Sequence, residues 1–195
     1  MRIIAEGAEA QVFKAVLLGD TVIVKTRKAK GYRIKAIDDD IRASRTRIEA
    51  RVMERAHSSG IMVPRLIAVD SFSIYMGLVD GKLMKDARIR KDSYGRLGRI
   101  LGIMHNADIV HGDFTPANIM VAKDGLYVID FGLSGISKSH EEKALDVLLM
   151  KRSLGESQYR WFIDGYTHSG RESKAIMGRL AEIELRGRYQ VRTLG

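Results

Sequence analysis

The stretch that decides the fold is IVHGDFTPANIM, residues 109–120, taken together with VIDFG at 128–132. The first segment sets His111, Asp113 and Asn118 in the order H-x-D-x-x-x-x-N, with Pro116 between the acid and the amide. The apolar runs NIMVA and LYVI flank Lys123-Asp124-Gly125, and a D-G pair between such runs predicts a hairpin. Asp130 stands where the second strand of that hairpin ends. The spacing therefore brings an amide oxygen from Asn118 and a carboxylate from Asp130 to neighbouring strand ends. Mg²⁺ favours sparse oxygen ligation completed by phosphates and water, which makes Asn118 and Asp130 the candidate metal ligands. Asp113 is the candidate base. The bland alternative is a pair of loop-capping carboxylates, but two acids at strand ends without a nearby charge partner need a reason.

Phosphoryl transfer also needs a cation on the phosphates and a cradle that covers them. Lys25 closes the strand-like VIVK, so its ammonium is aimed at something specific; the alternative is a charge that guards an edge strand. Glu49 lies beside the apolar stripe of the next predicted helix and is the preferred partner for Lys25. Glu54, near Arg47 and Arg51, is the second choice, and a surface pair of Glu49 with Arg45 is the bland one. AEGAEAQVF, residues 5–13, falls where a phosphate-covering G-x-G-x-x-G-x-V loop is expected. Its corresponding positions are Ala5, Gly7, Ala10 and Val12, so only the central glycine is kept. Alanine still lets a backbone approach a phosphate, but not with positive φ at low cost. His111 reads as a packed structural histidine, and the nine Met as flexible core filler.

Around these residues the chain reads as strands, one helix, strands, a connection, then mostly helices. Ile3-Ile4, Val12-Phe13 and Thr21 to Lys25 predict three strands, with turns at Gly7 and Gly19-Asp20. A helix is predicted over 38–57, with Ile41, Ile48, Val52 and Ala56 on one face. LIAV at 66–69 and FSIYM at 72–76 predict a hairpin, and GLVDGK at 77–82 suits a hinge. Leu97, Ile100, Leu101 and Met104 form an amphipathic face despite interior glycines. Ser139 with Glu142 predicts a capping box, followed by Leu145, Leu148 and Leu149 on one face. The expectation is an α+β protein with a strand-rich N-terminal lobe and a helical C-terminal lobe.

The 195 residues suffice for one core or two small lobes sharing a cleft. Apolar content of 45% with 29% charged residues excludes a disordered chain. No apolar run approaches the length of a membrane span, and MRIIAEGAEA has no secretory h-region. The absence of Cys excludes disulfides and thiolate metal sites and is compatible with a reducing cytosol. The net charge of +9 is uneven: residues 25–55 hold 11 Lys/Arg against 5 Asp/Glu. A solvated helix face and a surface for phosphate-rich partners such as RNA are both open on charge alone. Arg186 and Arg188 extend the basic character into the tail.

Taken together, these motifs resemble the protein-kinase superfamily. The likeness is closer to its PRPK-like branch, the small kinase/ATPase subunits of the KEOPS complex, related to the RIO atypical kinases. It covers nearly the whole chain: EGAEAQVF, then KTRKAKGYRIKAIDDDIRASRTRIEARVMERA, then HGDFTPANIM, IDFGLS, EEKALD and LRGR. The long basic segment is the most discriminating, because generic kinases lack it. The resemblance implies a minimal bilobal kinase fold without a full activation segment: 1–76 as N-lobe, 77–82 as hinge and 83–195 as reduced C-lobe. It implies ATP and Mg²⁺ as cofactors, with Lys25 and Asp113 catalytic. Ala5, Gly7, Ala10, Val12, Lys25, Glu49, Met76, Leu78, Asn118 and Asp130 would surround the nucleotide. Asp146 is expected to hydrogen-bond the catalytic-loop backbone from beneath.

Most kinases carry Arg at the position of Gly112, where it docks a phosphorylated activation loop. No A-P-E segment occurs in the 63 residues after Gly132, so an Arg there would have nothing to hold. The resemblance further implies a cytoplasmic Ser/Thr kinase that autophosphorylates in isolation. Inside KEOPS it acts as an ATPase supporting threonylcarbamoylation of tRNA. The implied partners are a threonylcarbamoyl-transferase subunit, a small Cgi-type regulator and tRNA through the complex, with no membrane. Two alternatives remain: a small-molecule phosphotransferase of the aminoglycoside or choline kinase type, and a non-catalytic RNA-binding scaffold. The short, basic region after Asp130 argues against the first, and the retained Lys25, Glu49, Asp113, Asn118 and Asp130 argue against the second.

Overall fold

Alternating residues build the first layer. The computed structural model describes the backbone of residues 1–192 and the side chains of residues 1–186; Arg188, one of the two basic tail residues, lies outside the described side chains. Strands β1 (Arg2–Glu6), β2 (Ala10–Leu17) and β3 (Asp20–Arg27) form an antiparallel meander. The tight β2–β3 turn places Leu18 at φ 52 and Gly19 at φ 92, a left-handed pair suited to a hairpin. Helix α1 (Lys35–Ser58) follows, and then the hairpin of β4 (Leu66–Val69) and β5 (Ser73–Gly77). The sheet order is β1-β2-β3-β5-β4, because β5 pairs with both β3 and β4.

The second part begins with β6 (Gly81–Leu83), so only residues 78–80 of the expected hinge lie outside strands. Helix α2 (Lys91–Asn106) leads into β7 (Ile109–Val110) and the catalytic-loop stretch. The hairpin of β8 (Ile119–Ala122) and β9 (Leu126–Val128) forms where the D-G pair predicted it, and β6 adds to it. The short β10 (Gly135–Ile136) pairs with β7. Helices α3 (His140–Ser153), α4 (Glu156–Ser169) and α5 (Ser173–Arg192) complete the fold. Ser139 caps α3, its hydroxyl accepting from the Glu142 N–H. One core runs through both parts, from Val52, Met53 and Ala56 to Leu97, Leu101 and Met104, then Phe162, Tyr166 and Leu180.

Two helix faces differ from the sequence reading. On α1, Ile48 is exposed, and the buried positions are Asp38, Thr46, Glu49, Ala50, Val52, Met53 and Ala56. The stripe is rotated because a buried carboxylate, not an isoleucine, meets the sheet. On α3, Leu145 is exposed while Lys143, Ala144, Asp146, Val147 and Met150 are buried.

The interior glycines of α2, which looked like a cost, have a packing function. A Cβ on Gly98 would lie 1.9 Å from the Phe162 carbonyl oxygen, and one on Gly165 would lie 2.0 Å from that of Gly95. The backbones of α2 and α4 therefore approach closer than any side chain permits.

Candidate active site

Strand periodicity places the first groups. Alternate residues of a strand point to one face, so Ile23, Lys25 and Arg27 share a side of β3. Lys25 Nζ lies 2.6 Å from Glu49 Oε1 and 2.6 Å from Asp130 Oδ1. Three segments far apart in sequence thus meet at one ammonium. Glu49 is the acid that reaches Lys25; Glu54 is exposed, and Arg45 pairs instead with Glu9 at 2.6 Å.

The other Glu49 oxygen, Oε2, accepts from Arg27 Nη2 at 2.5 Å. The sequence reading missed Arg27, although its position two residues after Lys25 was the available signal. Both cations and Glu49 are buried, while the Asp130 side chain is 54% exposed toward the cleft. Burial works to raise the Asp130 carboxyl, but the Lys25 ammonium and the Gly132 N–H outweigh it and hold the group below the ordinary carboxylate value. Asp130 also adopts φ 59, a left-handed conformation uncommon outside glycine.

The catalytic-loop stretch places the second set. Asn118 Nδ2 donates to Asp113 Oδ2 at 2.8 Å and to the Asp113 carbonyl oxygen at 2.9 Å. With its amide hydrogens turned to Asp113, Asn118 keeps Oδ1 as the atom available to a cation. Beneath the loop, Asp146 is fully buried and accepts from the His111 N–H at 2.7 Å and the Gly112 N–H at 2.8 Å. His105 Nε2 lies 3.4 Å from the same carboxylate, and its Nδ1 lies 2.9 Å from the Tyr166 hydroxyl.

His111 Nε2 donates to the Ile129 carbonyl oxygen at 3.2 Å and its Nδ1 accepts from the Asp113 N–H at 3.3 Å, which requires the neutral ring. Burial lowers its pKa against the pull of nearby carboxylates. Gly112 has φ 78, and a Cβ there would lie 2.5 Å from the Leu133 carbonyl oxygen. The glycine is therefore required by backbone and space.

A cavity of about 370 Å³ opens between the two parts. Ala5, Val12, Lys25, Glu49, Met76, Leu78, Asn118 and Asp130 line it. Gly7, Ala10 and Asp113 do not; Gly7 and Ala10 instead close the β1–β2 turn through the Gly7 N–H to the Ala10 carbonyl. Ile23, Leu83, Met120 and Ile129, which the motifs did not indicate, supply apolar walls. A larger hollow of about 730 Å³ uses residues 77–79 as one wall, but of the candidate site residues it contains only Leu78, so chemistry rather than volume identifies the site.

No group of three or more His, Cys, Asp and Glu side chains able to hold a metal occurs among the described residues. Asn118 and Asp130 alone fit an ion that arrives with phosphate oxygens and water. No helix among them is long and apolar enough to cross a membrane.

The chain has relatives in both sequence and fold. The RIO domain matches residues 11–151. The Pyrococcus abyssi protein named KEOPS complex subunit Bud32 is 37% identical over 99% of this chain and 98% of its own length. An Archaeoglobus fulgidus relative, named "Probable serine/threonine-protein kinase BUD32 homolog", is 36% identical over 94% of each chain. A Methanobrevibacter smithii relative, named "Probable bifunctional tRNA threonylcarbamoyladenosine biosynthesis protein", is 37% identical over 96% of this chain. This chain spans only 36% of that relative's length.

Among solved structures, the Chaetomium thermophilum Rio2 kinase in an ADP/Mg²⁺–phosphoaspartate complex superposes with a TM-score of 0.68 at 18% identity, over 97% of this chain and 70% of that one. WaaP in complex with acyl carrier protein gives 0.65 at 15% identity, over 96% and 88%. These two establish the kinase-like α+β fold. With the domain match and the full-length relatives, they place the chain in the RIO domain family, in the branch of the Bud32 proteins.

Proposed function

We propose that the chain binds Mg²⁺·ATP in the 370 Å³ cavity and transfers the γ-phosphoryl group, as a Ser/Thr kinase and as an ATPase subunit of a KEOPS complex that supports tRNA threonylcarbamoylation. The observation that carries this reading is the double contact of Lys25 with Glu49 and Asp130 at one end of an apolar cavity. Lys25 is the cation for the phosphates, and Glu49 orients it. Ala5, Val12, Met76 and Leu78 hold the base and ribose end, and the Gly7–Ala10 turn covers the phosphates. Asn118 Oδ1 and the Asp130 carboxylate would hold the metal. Bound Mg²⁺ would neutralise charge on the phosphate oxygens.

Asp113 accepts the proton of the attacking hydroxyl, and the two Asn118 hydrogen bonds fix its carboxylate for that task. With nucleotide bound, Lys25 would contact phosphate oxygens in place of Asp130, whose carboxylate would then be available to hold a metal. In this reading residues 1–76 and 83–195 act as two lobes, and 77–82 act as their hinge.

The names of the relatives support membership of a KEOPS-type assembly, and the expected location of the chain is the cytoplasm. The expected partners are a threonylcarbamoyl-transferase subunit, a small Cgi-type regulator and tRNA through the complex. The full-length relatives carry kinase and KEOPS names, which favours this reading over a small-molecule phosphotransferase. The basic segment serves two purposes. Arg42 pairs with Asp38 and Asp39 and stacks on Phe72 at 3.8 Å, and Arg45 pairs with Glu9, so these hold the N-terminal part together. Arg47 and Arg51 remain exposed and are candidates to meet phosphate, alongside the exposed Arg55, whose Nε donates to the Ala107 carbonyl.

The test is Mg²⁺-dependent ATP turnover, measured for the chain alone and with a threonylcarbamoyl-transferase and tRNA. Stimulation by those partners supports the reading; turnover near wild type in Asp130→Ala overturns the site.

A further inference from the structure

Arg27 is a buried charge at the cleft with no part in the chemistry above. It is 5% exposed. Its backbone is fixed from two sides, by pairing with Ala10 in β2 and by its N–H donating to the Phe72 carbonyl at 2.9 Å. Its guanidinium reaches the Oε2 of Glu49 at 2.5 Å, whereas Lys25 reaches Oε1 at 2.6 Å. The same guanidinium lies beside the I-D-F-G segment, since a Cβ on Gly132 would be 3.9 Å from Nη2.

Lys25 already serves two anions in this structure, Glu49 and Asp130. Phosphate oxygens would divide its charge further. A carboxylate only 3% exposed and left with a divided partner bears a large desolvation cost. Arg27 prevents this, because arginine stays charged and its Nη2 engages the oxygen that Lys25 does not use. Where one ion pair alone holds such a helix, its displacement can serve as a switch. With two cations, one movable and one fixed, that switch is removed.

We infer that Arg27 is a positioning residue that holds Glu49, and with it α1, in the active arrangement whether or not Lys25 is engaged by nucleotide. The inference rests on the reading of Lys25 as the phosphate cation, and it makes α1 a constitutively docked helix.

The test is hydrogen exchange of α1 amides in the full chain, with and without Mg²⁺·ADP, for wild type, K25M, R27M and R27K. In K25M, protection over residues 46–53 should stay within about twofold of wild type, because Arg27 alone still holds Glu49; R27M should lose protection about tenfold or more there, only when Mg²⁺·ADP is added, and R27K should restore part of it. A tenfold loss in K25M without nucleotide overturns the inference. So does a loss in R27M that is equal with and without nucleotide, which marks a merely structural residue. Failure of Mg²⁺·ADP to bind the wild-type chain would instead sink the reading of the cleft. The K25M comparison would still decide whether Arg27 holds α1, including the case in which R27M does not fold.

Discussion

The cluster around Lys25 and the network around Asp146 are both polar and largely buried, yet they leave different atoms free. Around Asp146 the acceptor oxygens are taken by the His111 and Gly112 N–H groups, with His105 and Tyr166 behind them. Around Lys25, the Asp130 carboxylate remains half exposed at the cavity, and Asn118 keeps an oxygen. A satisfied network fixes geometry; an incompletely satisfied one can exchange partners with a ligand. The difference is the one expected if the first network is scaffolding and the second is the proposed reactive site.

Substitutions should separate the two most sharply. Asp130→Ala is expected to reduce Mg²⁺-dependent ATP turnover to background with little change in thermal unfolding, because it removes the proposed metal ligand, whose side chain is half exposed. Asp113→Ala should lower turnover by about 10²–10⁴-fold while nucleotide binding stays within a few-fold. Asp146→Ala should do the reverse, costing about 3–5 kcal/mol in denaturant titration by orphaning buried donors. If Asp146→Ala were as stable as wild type, the scaffolding role would fall.

Gly112→Ala should follow, at about 2–4 kcal/mol, from left-handed strain and overlap with the Leu133 carbonyl. Gly98→Ala should cost about 1–3 kcal/mol by forcing α2 and α4 apart, which would also loosen the contact of His105 with Tyr166. Chemical denaturation of both variants measures these costs.

Acid should also tell the networks apart. Burial lowers the pKa of both His105 and His111 from the ordinary value, against the raising effect of Asp146. The unfolded chain then takes up protons first as pH falls. Stability is therefore complete above the ordinary histidine value of about 6.5 and is lost as pH drops through it, at up to about 1.4 kcal/mol per pH unit for each histidine. Asp130 has its pKa lowered, so its contribution persists above the ordinary carboxylate value of about 3.9 and is lost only below it. Unfolding free energy measured from pH 7 to pH 5 should fall, and His105→Gln should remove about half of that slope. A flat profile in the wild-type chain would contradict the buried neutral histidines.

The smallest effect concerns the exposed arginines. Replacing Arg47 and Arg51 by Ala should change stability by no more than about 0.5 kcal/mol. In the assembled complex, the slope of log tRNA affinity against log salt should flatten by about 0.7–0.9 for each phosphate that is no longer neutralised. An unchanged slope would leave α1 outside the RNA surface.

The local features were legible in the sequence because each depends on neighbours a few residues away. The β4–β5 and β8–β9 hairpins, the Ser139 cap and the spacing of Asp113, Asn118 and Asp130 are of this kind. The choice of Glu49 over Glu54 was also reachable, since helix periodicity separates the two faces. What stayed hidden depended on which distant backbone comes within contact distance. The sequence alone shows glycines at 98 and 112; only the approach of the Phe162 and Leu133 carbonyls shows that no side chain fits there. An isoleucine at 48 reads as core until a carboxylate at 49 is drawn inward by two cations from β3. Composition and periodicity rank residues by their own preferences. The tertiary structure decides which buried charges find partners, and a partnered charge can displace an apolar side chain from the core because leaving it unpaired there would cost more.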